Sequence, residues 1–226
     1  MINNVNVKEL VEFRRLSERR RSTYINELKM PKIPKQDDET GGNYWVRSIS
    51  GVSSAFKAND NTIINERIDS LLTVYEPEEN NKTKIMYKRN LEILGEYEDF
   101  DFSIWHAPGN VKFLTKPKQV ISVKDLPLKI SPQHVFSFGT KEEPKVGAIW
   151  FVIWLDGFQP GDLGMFSEAQ FRYLSEIYVK QYTVDPNYCI TVNVPSKEVV
   201  RYQQILDGKT PSWLDSTIDI LKKYLK

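Results

Sequence analysis

Val146-Gly147-Ala148-Ile149-Trp150-Phe151-Val152-Ile153-Trp154-Leu155 is the longest apolar run in a chain of 226 residues. A helix needs roughly 20 apolar residues to span a bilayer, and this run is half that length. Its β-branched and aromatic content marks a buried strand instead. Side chains alternate across a strand, so Val146, Ala148, Trp150, Val152 and Trp154 point one way and Ile149, Phe151 and Ile153 the other. Both faces are apolar. Such a strand belongs at the centre of a sheet that is covered on each side.

The flanking residues set the order of elements. Short β-like runs precede it at Val120 to Val123, Leu128 to Ile130 and Val135 to Phe138, punctuated by Pro and Gly. Gly161 to Tyr182 follows with a helical period, carrying Leu163, Phe166, Phe171, Leu174, Ile177 and Tyr178 on one side. Tyr188 to Val194 reads as a strand, Val199 to Tyr202 as a candidate for another, and Ser212 to Leu225 as a last amphipathic helix after Pro211. Short strands joined by tight turns imply antiparallel neighbours, and the helix allows a crossover back to the sheet.

Upstream the period is helical. Val7 to Lys29 reads as one helix, ended by Pro31 and Pro34, and Pro31 to Gly42 as a loop. Tyr44 to Ala58, Thr62 to Tyr75 and Thr83 to Glu98 follow as helices, with Asp60 or Asn61 placed to cap the second of them. The pattern predicts an α+β protein: a helical region over residues 1–80 and a mixed-sheet core over residues 81–226 with a C-terminal helix.

Composition narrows the class. There are 31 Lys plus Arg against 30 Asp plus Glu, and 40% of residues are hydrophobic. That excludes a disordered tail and a globally basic coat protein. One cysteine, Cys189, excludes an internal disulfide, and with two histidines it argues against a structural zinc site. The polar start, Met1 to Lys8, and the unpaired cysteine lead to the expectation of a cytoplasmic protein with no membrane partner. No phosphate loop and no nucleophile elbow is spelled, and no cofactor is called for.

The order helix, strands, helix, strand from Thr83 onward resembles the αβββαβ core of the PD-(D/E)XK, or restriction-endonuclease-like, nuclease superfamily. Pro132-Gln133-His134-Val135-Phe136 stands where some members carry Pro-Asp-Val, and Lys145-Val146-Gly147-Ala148-Ile149-Trp150-Phe151 resembles their Gly-Ala-Ile-Lys strand. The resemblance covers roughly Thr83 to Val194. It implies an Asp on one strand and a Glu on the next holding Mg²⁺, with a Lys two residues after the Glu. Here the Asp slot falls on Gln133 or His134, the Glu slot on Ala148 and the Lys slot on Trp150. Ala and Trp cannot bind Mg²⁺, so the resemblance implies a degenerate, non-cleaving member that associates with DNA or RNA. The enzyme alternative is an Mg²⁺-dependent nuclease with relocated groups: Glu143-Pro144-Lys145 spells E-x-K, Asp99 and Asp101 lie nearby in sequence after a helix, and His134 is a candidate base or phosphate donor. A third reading is a protein-interaction module without catalysis.

Arg14, Arg15, Arg19, Arg20 and Arg21 form a basic cluster. Residues 8–35 hold nine Lys or Arg against four Glu. One reading is phosphate contact by a basic helix; the other is a solvated face whose arginines pair with Glu9, Glu12, Glu18 and Glu27. Trp45 is the tryptophan best placed to stack on a base.

Overall fold

The computed structural model describes residues 3–30, 44–117 and 120–225; the loop expected at Pro31 to Gly42 lies outside them. The fold is mixed α+β. It opens with β1 (Val5–Asn6) and α1 (Val7–Arg15). Asn6 accepts from the Glu9 backbone N–H while Glu9 accepts from that of Asn6, each at 2.8 Å, a reciprocal cap that satisfies two orphan donors. The helix expected over Val7 to Lys29 is two helices, because Leu16 and Ser17 are extended and α2 (Glu18–Lys29) starts afresh. Arg21 folds back and donates to the carbonyls of Phe13 and Arg14 at the end of α1, sharing the first with the Leu16 N–H.

Three helices follow: α3 (Val46–Ala58), α4 (Thr62–Tyr75) and α5 (Asn81–Gly95). Asn59 ends α3 in the left-handed region, a conformation Asn tolerates better than most residues. Asp60 accepts from the Thr62 backbone N–H at 2.9 Å, the cap expected there. After a 3-10 turn at Phe102–Trp105 come β2 (Lys112–Leu114), β3 (Val120–Val123), β4 (Leu126–Lys129), β5 (His134–Gly139) and β6 (Pro144–Val152). The chain closes with α6 (Pro160–Ile177), β7 (Thr183–Asn193), β8 (Glu198–Arg201), α7 (Tyr202–Leu206) and α8 (Leu214–Leu225).

The main sheet has the order β2-β5-β6-β7-β8, so β6 is its middle strand. It runs antiparallel to β5 and parallel to β7, with α6 as the crossover. Pro144 stands at the first residue of β6, where a missing N–H is tolerated. The strands β3 and β4 do not join this sheet. They form a hairpin across Lys124 and Asp125, both at positive φ, and pair with β1 in a three-stranded sheet of their own.

Each face of β6 belongs to a different core. Val146, Ala148 and Val152 pack with residues of α1, α2, α6 and α8, while Ile149, Phe151 and Ile153 pack with residues of α3, α4 and α5. The helices of residues 1–80 are therefore divided between the two faces of the sheet. Among the described residues no helix is long and apolar enough to cross a membrane.

Candidate nucleic-acid interface

The slots singled out on β5 and β6 lie at the end of the sheet where β5 begins and β6 finishes. Gln133 spends its amide on the main chain: Phe151 N–H donates to its Oε1 at 2.8 Å, and its Nε2 donates to the Phe151 carbonyl at 3.2 Å. Ala148 is fully buried, and Trp150 packs edge-on against Phe166 of α6 with ring centroids 5.1 Å apart. This part of the sheet is an apolar packing surface. Among the described residues no group of three or more His, Cys, Asp and Glu is arranged to hold a metal ion.

His134 points to the other face and meets α3. Its Nε2 lies 3.0 Å from the Ser53 carbonyl oxygen and 2.7 Å from Ser53 Oγ. A carbonyl only accepts, so Nε2 carries the proton and Nδ1 carries the lone pair. That tautomer cannot take a proton from Ser53 through Nε2, and the pair is not an activated nucleophile. Burial pushes the imidazole below its ordinary value; the bond to Ser53 opposes this, and the charges of Lys57 and Lys116 add to it. Lys116 donates to the carbonyls of Pro132 and Gln133 at 2.7 and 3.1 Å, and burial lowers its ammonium as well. His106 binds α3 in the same manner, with Nε2 2.6 Å from the Phe56 carbonyl, so both histidines serve the C-terminal part of that helix.

The relocated groups do not converge. Glu143 and Lys145 sit at the opposite end of β6, where Pro144 pairs with Gly139 and Lys145 Nζ is 3.4 Å from Asp185. Asp99 and Asp101 belong to the other end, beside Tyr97, whose hydroxyl donates to the Val194 carbonyl just beyond β7. The length of β6, about 3.3 Å per residue, stands between the two sets. Asp101 caps the 3-10 turn through Ser103, whose hydrogen bonds hold its carboxyl below the usual range.

The arginine cluster splits into three. Arg14 and Arg15 converge on Asp162, whose side chain is completely buried at the start of α6. Arg14 Nη2 is 3.1 Å from Oδ1, Arg15 binds Oδ2, and the Gln159 backbone N–H donates to Oδ2 at 3.0 Å. Each guanidinium also covers an indole: Arg14 lies 3.7 Å from the Trp213 ring centre and Arg15 4.2 Å from that of Trp154. Arg21 is committed to carbonyls of α1. Arg19 and Arg20 are exposed on α2.

Sequence reasoning missed Asp162, Ser53, Lys57 and Lys116. Asp162 carries a signal, an acid at the third position of a helix opened by Pro160. Its arginine partners lie 148 and 147 residues away, and no local pattern links them. Trp45 lines a cleft of about 590 Å³ beyond the carboxyl ends of the parallel strands β6 and β7, facing Ile153, Trp154 and Val194, with Arg89 at its side. No protein-family model, no curated protein and no solved structure matches the chain.

Proposed function

We propose that the chain is a nucleic-acid-associated protein of restriction-endonuclease-like fold that lacks the usual metal-dependent nuclease centre. The observation that carries this reading is the order α5, then β2, β5 and β6 side by side, then α6 and β7, which is the αβββαβ order, combined with Gln133, Ala148 and Trp150 where a metal centre needs acids and an amine. Two features supply contacts for the ligand. Arg19 and Arg20 are exposed cations for phosphates. The cleft between Trp45 and Trp154 lies where open sheets with parallel strands bind ligands, and the Trp45 indole offers a stacking surface for a base.

The test is fluorescence anisotropy with labelled DNA and RNA strands. Binding is expected at about 50 mM salt and falls steeply by about 200 mM. The double variant Arg19→Ala, Arg20→Ala weakens it and reduces the salt slope by about 2. Absence of binding at the lower salt overturns the reading. With Mn²⁺ or Mg²⁺ present the strands stay intact. Cleavage abolished by Glu143→Ala or Asp99→Ala would restore the relocated metal centre and remove the non-cleaving part of the proposal.

A further inference from the structure

Six of the ten arginines of this chain are engaged by an acceptor or a carboxylate, and Arg19 and Arg20 are exposed on α2. Arg14 and Arg15 hold Asp162, Arg21 holds carbonyls of α1, Arg89 donates to the Tyr44 hydroxyl, Arg172 pairs with Glu168 and Asp215, and Arg201 donates to the carbonyls of Asn187 and Ile104. Arg47 on α3 and Arg67 on α4 differ. Arg47 lies over the Tyr87 ring, 4.9 Å from its centre, but among the described residues neither guanidinium has a hydrogen-bond acceptor or a carboxylate partner, and both line one cleft of about 380 Å³ between α3, α4 and α5.

The sequence makes this arrangement on both helices. Arg47-Ser48-Ile49-Ser50 and Arg67-Ile68-Asp69-Ser70 each place a serine three residues after the arginine, on the same helix face. Ser50 and Ser70 line the cleft with them. Three and four residues on from each arginine there is no acid: Ser50 and Gly51 follow Arg47, and Ser70 and Leu71 follow Arg67. Glu66 and Asp69 lie on α4 but not on the cleft wall. Gly51 permits the close packing that builds the site. A Cβ there would stand 2.7 Å from Leu94 Cδ2 and 3.5 Å from Arg67 Cγ, so the Arg67 stem rests beside bare α3 backbone. The floor is apolar, made by the buried side chains of Leu71 and Leu94, with Val46 and Met86 beside them.

Two guanidinium groups without an acceptor, one of them resting on the Tyr87 ring, and two hydroxyls above a greasy floor define the chemistry of an occupant. The charge matches a phosphoryl group, which carries about −1.5 to −2 at neutral pH, better than a single carboxylate. Guanidinium groups bind phosphate oxygens through paired N–H donors, and hydroxyls complete the set. The floor asks for an apolar body on the phosphate, and the volume lies in the lower part of the range for small-molecule sites, about 300–1,000 Å³. We infer that the α3–α4 cleft is a binding site for a small phosphomonoester with an apolar or aromatic body, recognised by Arg47, Arg67, Ser50 and Ser70. The site shares no lining residue with the cleft proposed for bases and does not rest on that proposal.

The experiment uses the full chain with ¹³C-methyl-labelled methionine and phenyl phosphate as the probe. The chain has four methionines, and Met86 lines the cleft. Its resonance, identified with Met86→Leu, shifts saturably as phenyl phosphate is added, while benzyl alcohol leaves it in place. Arg47→Ala and Arg67→Ala each weaken binding about tenfold or more, as expected for loss of a charge-assisted hydrogen bond. The other methionine resonances report that each variant is folded. The double variant Arg19→Ala, Arg20→Ala binds phenyl phosphate as the parent does, which separates this site from the nucleic-acid reading. Absence of a saturable shift at about 10 mM probe, or a shift of the same strength in folded Arg67→Ala, overturns the inference.

Discussion

Asp162 is the residue on which the first helix depends. Its carboxylate is sealed from water and held by two arginines and a backbone N–H, while the Arg14 and Arg15 side chains stay about a quarter exposed. Removing one member of a buried ion group strands the others, a loss of about 3–5 kcal/mol, and the partial exposure of the arginines favours the lower end. Asp162→Ala is therefore expected to cost about 3 kcal/mol, read as a fall in the denaturant midpoint. Asp162→Asn keeps an acceptor for the Gln159 N–H and loses less. A loss below about 1 kcal/mol for Asp162→Ala would mean that the Trp154 and Trp213 contacts hold the arginines without it. His134 gives a dependence on pH. Burial lowers its folded-state pKa below the unfolded value near 6.5. As pH falls through 6.5 the unfolded chain takes up a proton that the folded chain refuses, so stability is full above that value and declines below it until the folded-state pKa is passed. His134→Gln removes this contribution. Its unfolding free energy is expected to fall less steeply with acid below about pH 6.5, measured by urea titration at several pH values; parallel profiles would show that the imidazole is not desolvated.

At the scale of elements, the parts that were legible are those whose signal is local and redundant. The strand Val146 to Trp154 announces itself through apolar residues on both faces, and the structure places it mid-sheet with the expected split: Ile149, Phe151 and Ile153 on one side, Val146, Ala148 and Val152 on the other. Helices α3 to α5 repeat at a helical period; α3 stops at Asn59, α5 at Gly95, and Pro77 follows the end of α4. What was not legible depends on partners distant in sequence. β1 is two residues long, and only its parallel pairing with β4 makes it a strand. β2 is three residues long and takes its register from β5. The early part of β7 is polar and runs through Pro186; it is irregular opposite Gly147, where a Cβ would stand 2.6 Å from Tyr188 Cβ. Glycine in that strand marks a close backbone approach, a demand set by the neighbouring strand. The split between α1 and α2 had a visible cue in Ser17-Glu18, a cap residue followed by an acid, but the helical period of the flanking residues outweighed it. The same reasoning covers the interface. The basic run from Arg14 to Arg21 is obvious in the sequence, whereas which of its members are consumed depends on Asp162 and on carbonyls of α1.

For the whole molecule, the decisive fact is that one sheet serves two cores. The face of β6 toward α6 is covered by α1, α2 and α8, and the opposite face by α3, α4 and α5, so neither set of helices can leave without exposing a side of the central strand. Exposing a strand that is apolar on both faces costs about 25 cal/mol for each Å² of apolar surface, and the remaining core would have to carry that loss alone. Unfolding should then be a single cooperative transition even though α3 to α5 have a compact apolar cluster of their own. The five tryptophans are placed to test it. Trp45 and Trp105 belong to the α3–α5 side, and Trp150, Trp154 and Trp213 to the α6–α8 side. With 5-fluorotryptophan incorporated, all five ¹⁹F resonances are expected to lose intensity at one urea midpoint. If the Trp45 and Trp105 signals disappear first, α3 to α5 form a separable unit. Tyr97→Phe, which removes the hydroxyl's bond to the Val194 carbonyl within the α3–α5 core, would then lower the Trp45 and Trp105 midpoint further.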